Sequence, residues 1–248
     1  MIKGLMALVA SILFLNNLCG QTALHFNGVN NLVQTTGAPV LNNQSRTVDA
    51  WINTTFTPTT QLVICDWGTF SPLGSRFTLN VTTNRLRIEV GGIGLTGNQL
   101  VNTGQWVHVT AVYESSITTG NNVFLYVNGV LDAAGTFTGY PILTTTNATN
   151  LRIGSRVDGI SLFNGAIDEL KVYNYARTAS QIAADTVEYC APVAGLVAYY
   201  KLNEGIPNGL NTGSVTAIDY SGNGNNGALS SFTLSGTSSN WIPGRVRQ

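Results

Sequence analysis

Charge is what this sequence has least of. Its twelve Lys+Arg and twelve Asp+Glu make up 10% of 248 residues and cancel to a formal net charge of zero. A nucleic-acid partner is therefore not expected, because phosphate neutralisation needs a basic surplus and the cations here are few and scattered. The same scarcity excludes a disordered charged tail and a coiled coil with charged flanking positions. Histidine is equally sparse. His25 and His108 are the only two, too few for a His-rich metal site and too far apart in sequence for the paired histidines of a HExxH zinc protease.

Neutral polar residues take the place of charge. Gly, Asn, Thr and Ser number 27, 26, 30 and 16, together 99 residues. They form turns and carry uncharged hydrogen-bonding groups, and Thr also favours strands, so the composition points to an all-β protein. The length permits one large or two small domains.

The first twenty residues stand apart. Lys3 precedes an eleven-residue run, Leu5 to Leu15, broken only by Ser11, and the small Gly20 comes just before Gln21. This reads as a secretory signal peptide over residues 1–20, since the run is too short to span a bilayer. The mature chain is then expected to be secreted or held at the cell surface, without a membrane span. Cys19 does not suit lipid attachment, because Asn16, Asn17 and Leu18 lack the small side chains such processing favours. The two remaining cysteines, Cys65 and Cys190, allow a single intramolecular disulfide closing a loop of about 125 residues. Such a bridge would contribute roughly 4–5 kcal/mol in chain-entropy terms. The alternative is a buried thiol, as Cys65 ends the apolar run Leu62-Val63-Ile64-Cys65.

Apolar and polar residues alternate in Thr47–Asn53, Arg76–Val81, Arg85–Val90, Trp106–Tyr113, Val123–Val127 and Ala166–Tyr173, with Gly, Asn or Thr clusters between them. Short alternating runs at close spacing predict antiparallel strands with one face buried, and hence a β-sandwich or jelly roll. Asn128-Gly129 is the strongest turn signal, because a two-residue hairpin loop needs positive φ at both positions. A single short helix is predicted near 178–186, with a hydroxyl cap at Thr178. The pattern then breaks at Tyr189-Cys190-Ala191-Pro192. A module boundary is placed there, separating 21–189 from a Gly/Asn/Ser-rich segment, 190–248, that is either a partial second module or a C-terminal extension.

The ordered series Phe26-Asn27-Gly28, Val48-Asp49-Ala50-Trp51-Ile52, Gly104-Gln105-Trp106-Val107-His108-Val109, Leu125-Tyr126-Val127-Asn128-Gly129, Leu151-Arg152-Ile153-Gly154 and Phe163-Asn164-Gly165-Ala166-Ile167-Asp168-Glu169-Leu170 resembles the laminin-G-like (concanavalin A-like lectin/glucanase) jelly-roll family. The likeness spans about residues 22 to 187. Gly195–Tyr200 with Asp219–Gly227 and Ser239-Asn240-Trp241 looks like the opening of another such module, as in multi-module secreted bacterial proteins. The resemblance implies a structural Ca²⁺ where the first strand meets the last, with Asp168 as carboxylate and backbone oxygens near Asn27 and Gly28. The alternative is that Asp168 only accepts backbone hydrogen bonds. Asp219-x-Ser221-x-Asn223-Gly224 also mimics half a calcium loop, but Ser230 stands at position twelve instead of Glu, which favours a plain turn.

Glucanases of this fold carry Glu-x-Asp-x-Glu on one strand, and no such run exists here. Glu89, Glu114 and Glu204 are isolated. Asp168 and Glu169 are adjacent, so alternation predicts that they face opposite sides. His108 in Trp-Val-His-Val matches a structural position. For ligand binding, Trp67 and Phe70 in Asp66-Trp67-Gly68-Thr69-Phe70-Ser71-Pro72 are the candidates for an exposed aromatic platform, with Asp66 as polar partner; the alternative is that they cover the sandwich end. Trp51 and Trp106 are assigned to the core and Trp241 to anchoring the tail. The expected protein is a secreted, non-catalytic module that binds an extracellular glycan or surface protein. A structural repeat unit of a larger surface protein and a glycan-active enzyme are the alternatives.

Overall fold

The computed structural model describes residues 22–90, 93–137, 143–145, 149–185, 188–189, 191 and 193–245. The expected signal peptide and Cys190 lie outside them. In chain order the elements are β1 (Thr22–Asn27), β2 (Leu32–Thr35), β3 (Arg46–Asn53), β4 (Leu62–Gly68), β5 (Arg76–Thr82), β6 (Arg85–Val90), β7 (Ile93–Leu100), β8 (Val107–Tyr113), β9 (Val123–Val127), β10 (Val130–Gly135), β11 (Arg152–Ile153) and β12 (Asn164–Tyr173). Helix α1 (Ala179–Ala184) follows, then β13 (Leu196–Tyr200), β14 (Thr216–Ala217), β15 (Gly227–Ser230) and β16 (Trp241–Pro243). The strands form two antiparallel sheets. Sheet A runs β10-β9-β8-β3-β12-β1-β16, with β13 also on β12, and sheet B runs β14-β15-β2-β11-β4-β5-β6-β7.

The six alternating runs all form strands, because each has one apolar face to bury. Val48, Ala50 and Ile52 of β3 and Val109 and Ala111 of β8 face Phe77, Leu79 and Val81 of β5 and Leu86 and Ile88 of β6, all within one hydrophobic core. Asn128 and Gly129 take φ of 50° and 78° and close the β9–β10 hairpin. Helix α1 begins on a capping box in which Thr178 accepts from Gln181 N–H. Its Ile182 packs on Val112 and Tyr126, on the outer side of sheet A.

The segment after residue 190 adds strands to both sheets. β13 pairs with the C-terminal half of β12, β16 with β1, and β15 with β2. Trp241 is fully buried and donates its indole N–H to the Ser214 carbonyl at 3.3 Å, and Phe232 meets Phe26 edge-on. On the outer side of sheet A a buried ion network holds the neighbouring pieces. The Lys171 ammonium lies 3.1 Å from Asp185 and 3.9 Å from both Asp49 and Glu169, while Tyr173 and Arg177 also donate to Asp185.

Pairing of this kind leads us to propose that the tail and the sandwich unfold as one unit. Limited proteolysis of the full chain should then give no stable fragment ending near residue 190; a folded fragment with that end would make the tail a separate body. Trp241→Ala should cost about 3–5 kcal/mol, the usual penalty for emptying a buried tryptophan site. Denaturant unfolding measures it, and a loss below about 1 kcal/mol would show that this contact does not anchor the tail.

Candidate functional site

A β-bulge decides the site. The β4–β5 register shifts between Val63 and Cys65, so Leu62, Ile64, Cys65 and Trp67 all point into the core. Asp66 is thereby turned to the outer face of sheet B, since an extra residue inverts the alternation beyond it. Asp66 lies opposite Thr78, Thr78 opposite Glu89, and Asn80 opposite Arg87. Paired residues share a face, so β4, β5 and β6 carry a largely buried layer of polar side chains there, interrupted by Val63 opposite Asn80. The loop after β11, carrying Arg156, Asp158, Ile160 and Ser161, rises beside it. Between that loop and Thr60-Gln61 lies a cleft of about 580 Å³, lined also by Thr82, Arg87 and Glu89.

Glu89 organises the cleft. It accepts from Gln61 Nε2 at 2.7 Å and lies 3.4 Å from Arg76 Nη2 and 3.5 Å from Arg87 Nε. Arg87 also donates to Thr96 Oγ1 at 2.9 Å. Arg76 is buried beneath, 3.7 Å from Asp66 and 4.0 Å from Asp158, and its guanidinium carbon is 5.3 Å from the centre of the Phe70 ring. Arg156 grips Asp158 through Nε and Nη2 at 2.7–3.0 Å. Although partial burial opposes it, this pairing, with the Ile160 N–H and the nearby Arg76, holds the Asp158 carboxyl below its ordinary range. Asp66 goes the other way. Desolvation raises it to about 7 despite hydrogen bonds from Thr78 Oγ1 and Val157 N and the nearby guanidinium groups.

The residues proposed from sequence divide here. Asp66 lies under the cleft, completely buried, and its hydrogen bond to Val157 ties down the cleft loop. Phe70 is 63% exposed and sits over Arg76. Trp67 is not an exposed platform. Strand β4 continues through it, and the bulge turns it inward, where it is fully buried, stacks on Phe77 and donates to the Val40 carbonyl at 2.8 Å. Trp51 and Trp106 are half-buried rather than core residues. Trp51 has the opposite parity to Val48, Ala50 and Ile52, so it lies on the outer side of sheet A against His108 and Arg245; Trp106 precedes β8.

Of the residues that the resemblance implies for calcium, Asp168 lies on β12 and Asn27 ends β1 just before Gly28. Asn27 pairs with Asn164, four residues before Asp168 on β12, which is about 13 Å along a strand. The Asn27 side chain accepts from the backbone N–H groups of Val29, Asn30 and Asn31. Among the described residues no group of three His, Cys, Asp or Glu is placed to hold a metal ion. Asp219 accepts from Tyr199, Ser221 and Asn225 N–H groups at 3.0 Å, which organises the turn between β14 and β15 and ties it to β13. Asp168 and Glu169 do not face opposite sides. A bulge between Asp168 and Lys171, with Glu169 at φ 52°, leaves Asp168 paired with Trp51 and Glu169 accepting from Tyr199 Oη, both on the outer side of sheet A. His108 is fully buried, 3.4 Å from Asp49. Cys65 is a free buried thiol, and burial pushes its pKa well up; its proposed partner Cys190 is outside the described residues. No helix among the described residues is long and apolar enough to cross a membrane.

Gln61, Arg76, Arg87, Glu89 and Arg156 were not singled out from the sequence. The signal for three of them was present: in RFTLNV and RLRIEV the polar partners of the apolar residues are Arg76, Thr78, Asn80, Arg85, Arg87 and Glu89, all assigned to one face once the two strands pair.

Because Asp66 rises from 3.8 to about 7 on folding, the native state binds more protons than the unfolded chain between those values. Its contribution is fully present below about pH 4 and is lost as pH rises through about 7. Asp66→Asn should flatten this part of the stability profile, measured by denaturant unfolding across the window. Parallel profiles for the two proteins would show that Asp66 is not held neutral by burial.

No curated protein matches the chain. Among solved structures, a provisionally assigned carbohydrate-binding protein from Bacteroides ovatus superposes with a TM-score of 0.66 at 23% identity, covering 86% of this chain and 58% of that one. This chain thus spans somewhat over half the length of that protein. The CBM40 module of a Ruminococcus gnavus sialidase, bound to α2,3-sialyllactose, gives 0.50 at 16% identity over 66% and 96% of the two chains. A pentraxin from Limulus polyphemus gives 0.50 at 17% over 66% and 81%. At these identities the likeness is one of fold. A laminin-G-type model of the concanavalin A-like lectin/glucanases superfamily matches residues 27–183, well over half of the chain, and the protein belongs to that family.

Proposed function

We propose that this chain is a non-catalytic carbohydrate-binding module of a secreted or surface protein, and that the cleft over sheet B holds the glycan. The observation that carries this reading is the mutual fixing of Gln61, Arg87 and Glu89 at the cleft wall. Planar amide, guanidinium and carboxylate groups held in place by one another lose little entropy on meeting sugar hydroxyls. Ile160 and Phe70, 56% and 63% exposed, add apolar surface near this polar set for the C–H faces of a sugar ring. The carbohydrate-binding neighbours of the same fold support the same direction.

Catalysis fits poorly. Glycoside hydrolysis needs two carboxyl groups that both reach the scissile bond. Asp66 is completely buried beneath the cleft loop, and Glu89 turns its oxygens to Gln61, Arg76 and Arg87. Asp158, the third acid at this face, has both oxygens bonded to Arg156, so no two of the three are placed to act together on a glycosidic bond.

The full chain on a glycan array should retain a defined set of saccharides and release no product from them. Gln61→Ala and Phe70→Ala should each weaken the strongest interaction by about five- to tenfold, the loss of one hydrogen bond or one apolar contact, with thermal stability nearly unchanged. A silent array, or unaltered affinity in both variants, would remove the cleft as a glycan site.

A further inference from the structure

Five of the nine arginines in this charge-poor chain gather on or beside the outer face of sheet B. Arg76 is on β5, Arg85 and Arg87 on β6, Arg152 on β11, and Arg156 in the cleft loop. The acids among them are Asp66, Glu89 and Asp158, so the cationic groups exceed the acids by two. Desolvation pushes Asp66 up to about 7, which widens the surplus below neutrality. Each cation not matched by an anion costs free energy when a ligand covers the surface. A neutral saccharide would impose that cost without offsetting it.

Two guanidinium groups at the cleft have donors to spare. Arg87 uses Nε on Glu89 and Nη1 on Thr96, and its Nη2 hydrogen-bonds to none of the described residues. Arg156 uses Nε and Nη2 on Asp158, and its Nη1 is similarly unused among them. Their side chains are 22% and 17% exposed, open to the cleft yet anchored by the carboxylates beside them. An anchored guanidinium presents its remaining N–H groups in a fixed direction, and carboxylates are the acceptors that match its geometry.

Resting on the reading of this cleft as a glycan site, we propose that its saccharide is acidic, with the carboxylate of a uronic or sialic acid residue seated against Arg87 and Arg156. The substrate class thus follows from where a chain with almost no charge has concentrated its arginines.

Isothermal titration of the full chain with matched pairs tests this: oligogalacturonate against its methyl ester, and sialyllactose against lactose, each at low and high sodium chloride. At least one acidic member should bind about tenfold tighter than its neutral counterpart, the advantage shrinking with salt. Arg156→Gln should abolish most of the advantage while leaving binding of the neutral member within about twofold, whereas Arg87→Gln, which also loosens Glu89, should weaken both members and the acidic one more. Equal affinity for acidic and neutral members, or an equal loss of both in the variants, would overturn the acidic assignment and leave the glycan site standing. Preference for a sulfated oligosaccharide over both carboxylated ones would overturn the carboxylate as the anion. Binding to none of the probes, with a silent glycan array, would overturn the underlying site as well.

Discussion

Alternation of side chains along a strand, enforced by burying one face of each sheet, is the constraint on which the rest of this structure depends. In a sandwich it creates one shared interior and two outer faces, and charged groups on strands go outward unless, like Arg46 over the Trp67 and Phe77 rings, they find partners inside. Two bulges adjust that parity. The one in β4 sends Trp67 inward and Asp66 outward. The one in β12 turns Lys171 to the outer side of sheet A, where Asp49, Glu169 and Asp185 receive it. Without the shifts, a tryptophan would lie on the surface and a lysine in the apolar core.

The two outer faces are put to different uses. On sheet A the charges are sealed: Lys171, Asp49 and His108 are all fully or almost fully buried, and α1 packs over part of that face. Such a network holds pieces of chain together, and removal of one partner is costly because its counterpart stays buried. On sheet B the charges border a cleft. Arg87 and Arg156 remain partly exposed, steadied by Glu89 and Asp158. Accessibility, not residue type, separates the brace from the proposed binding surface here.

The fold was legible because its signals are local. Arg76–Val81 and Arg85–Val90 alternate strictly, Asn128-Gly129 has the φ values its hairpin needs, and Thr178 with Gln181 marks the helix start. Less was legible where one residue changes the register. Strict alternation from Leu62 puts Trp67 outside, and only the bulge, a property of pairing with β5, corrects it. Asp168 and Asn27 belong to strands that do pair, yet the register keeps them four positions apart. The destinations of β13 to β16 were also hidden, since short strands in a Gly- and Asn-rich segment carry no label for the edge they will join. For the site, the sequence singled out Asp66 and Phe70. Arg156 and Gln61 come from loops whose position only the assembled sheet defines.

The central claim is that recognition occurs over sheet B, beside the arginines. Amide chemical-shift mapping of the isotopically labelled chain during titration with an acidic oligosaccharide tests it most directly. The account predicts that the largest changes fall on Gln61, Arg87, Glu89 and the 156–161 loop, with sheet A silent. Changes centred on the outer side of sheet A or on the 204–218 segment would contradict it.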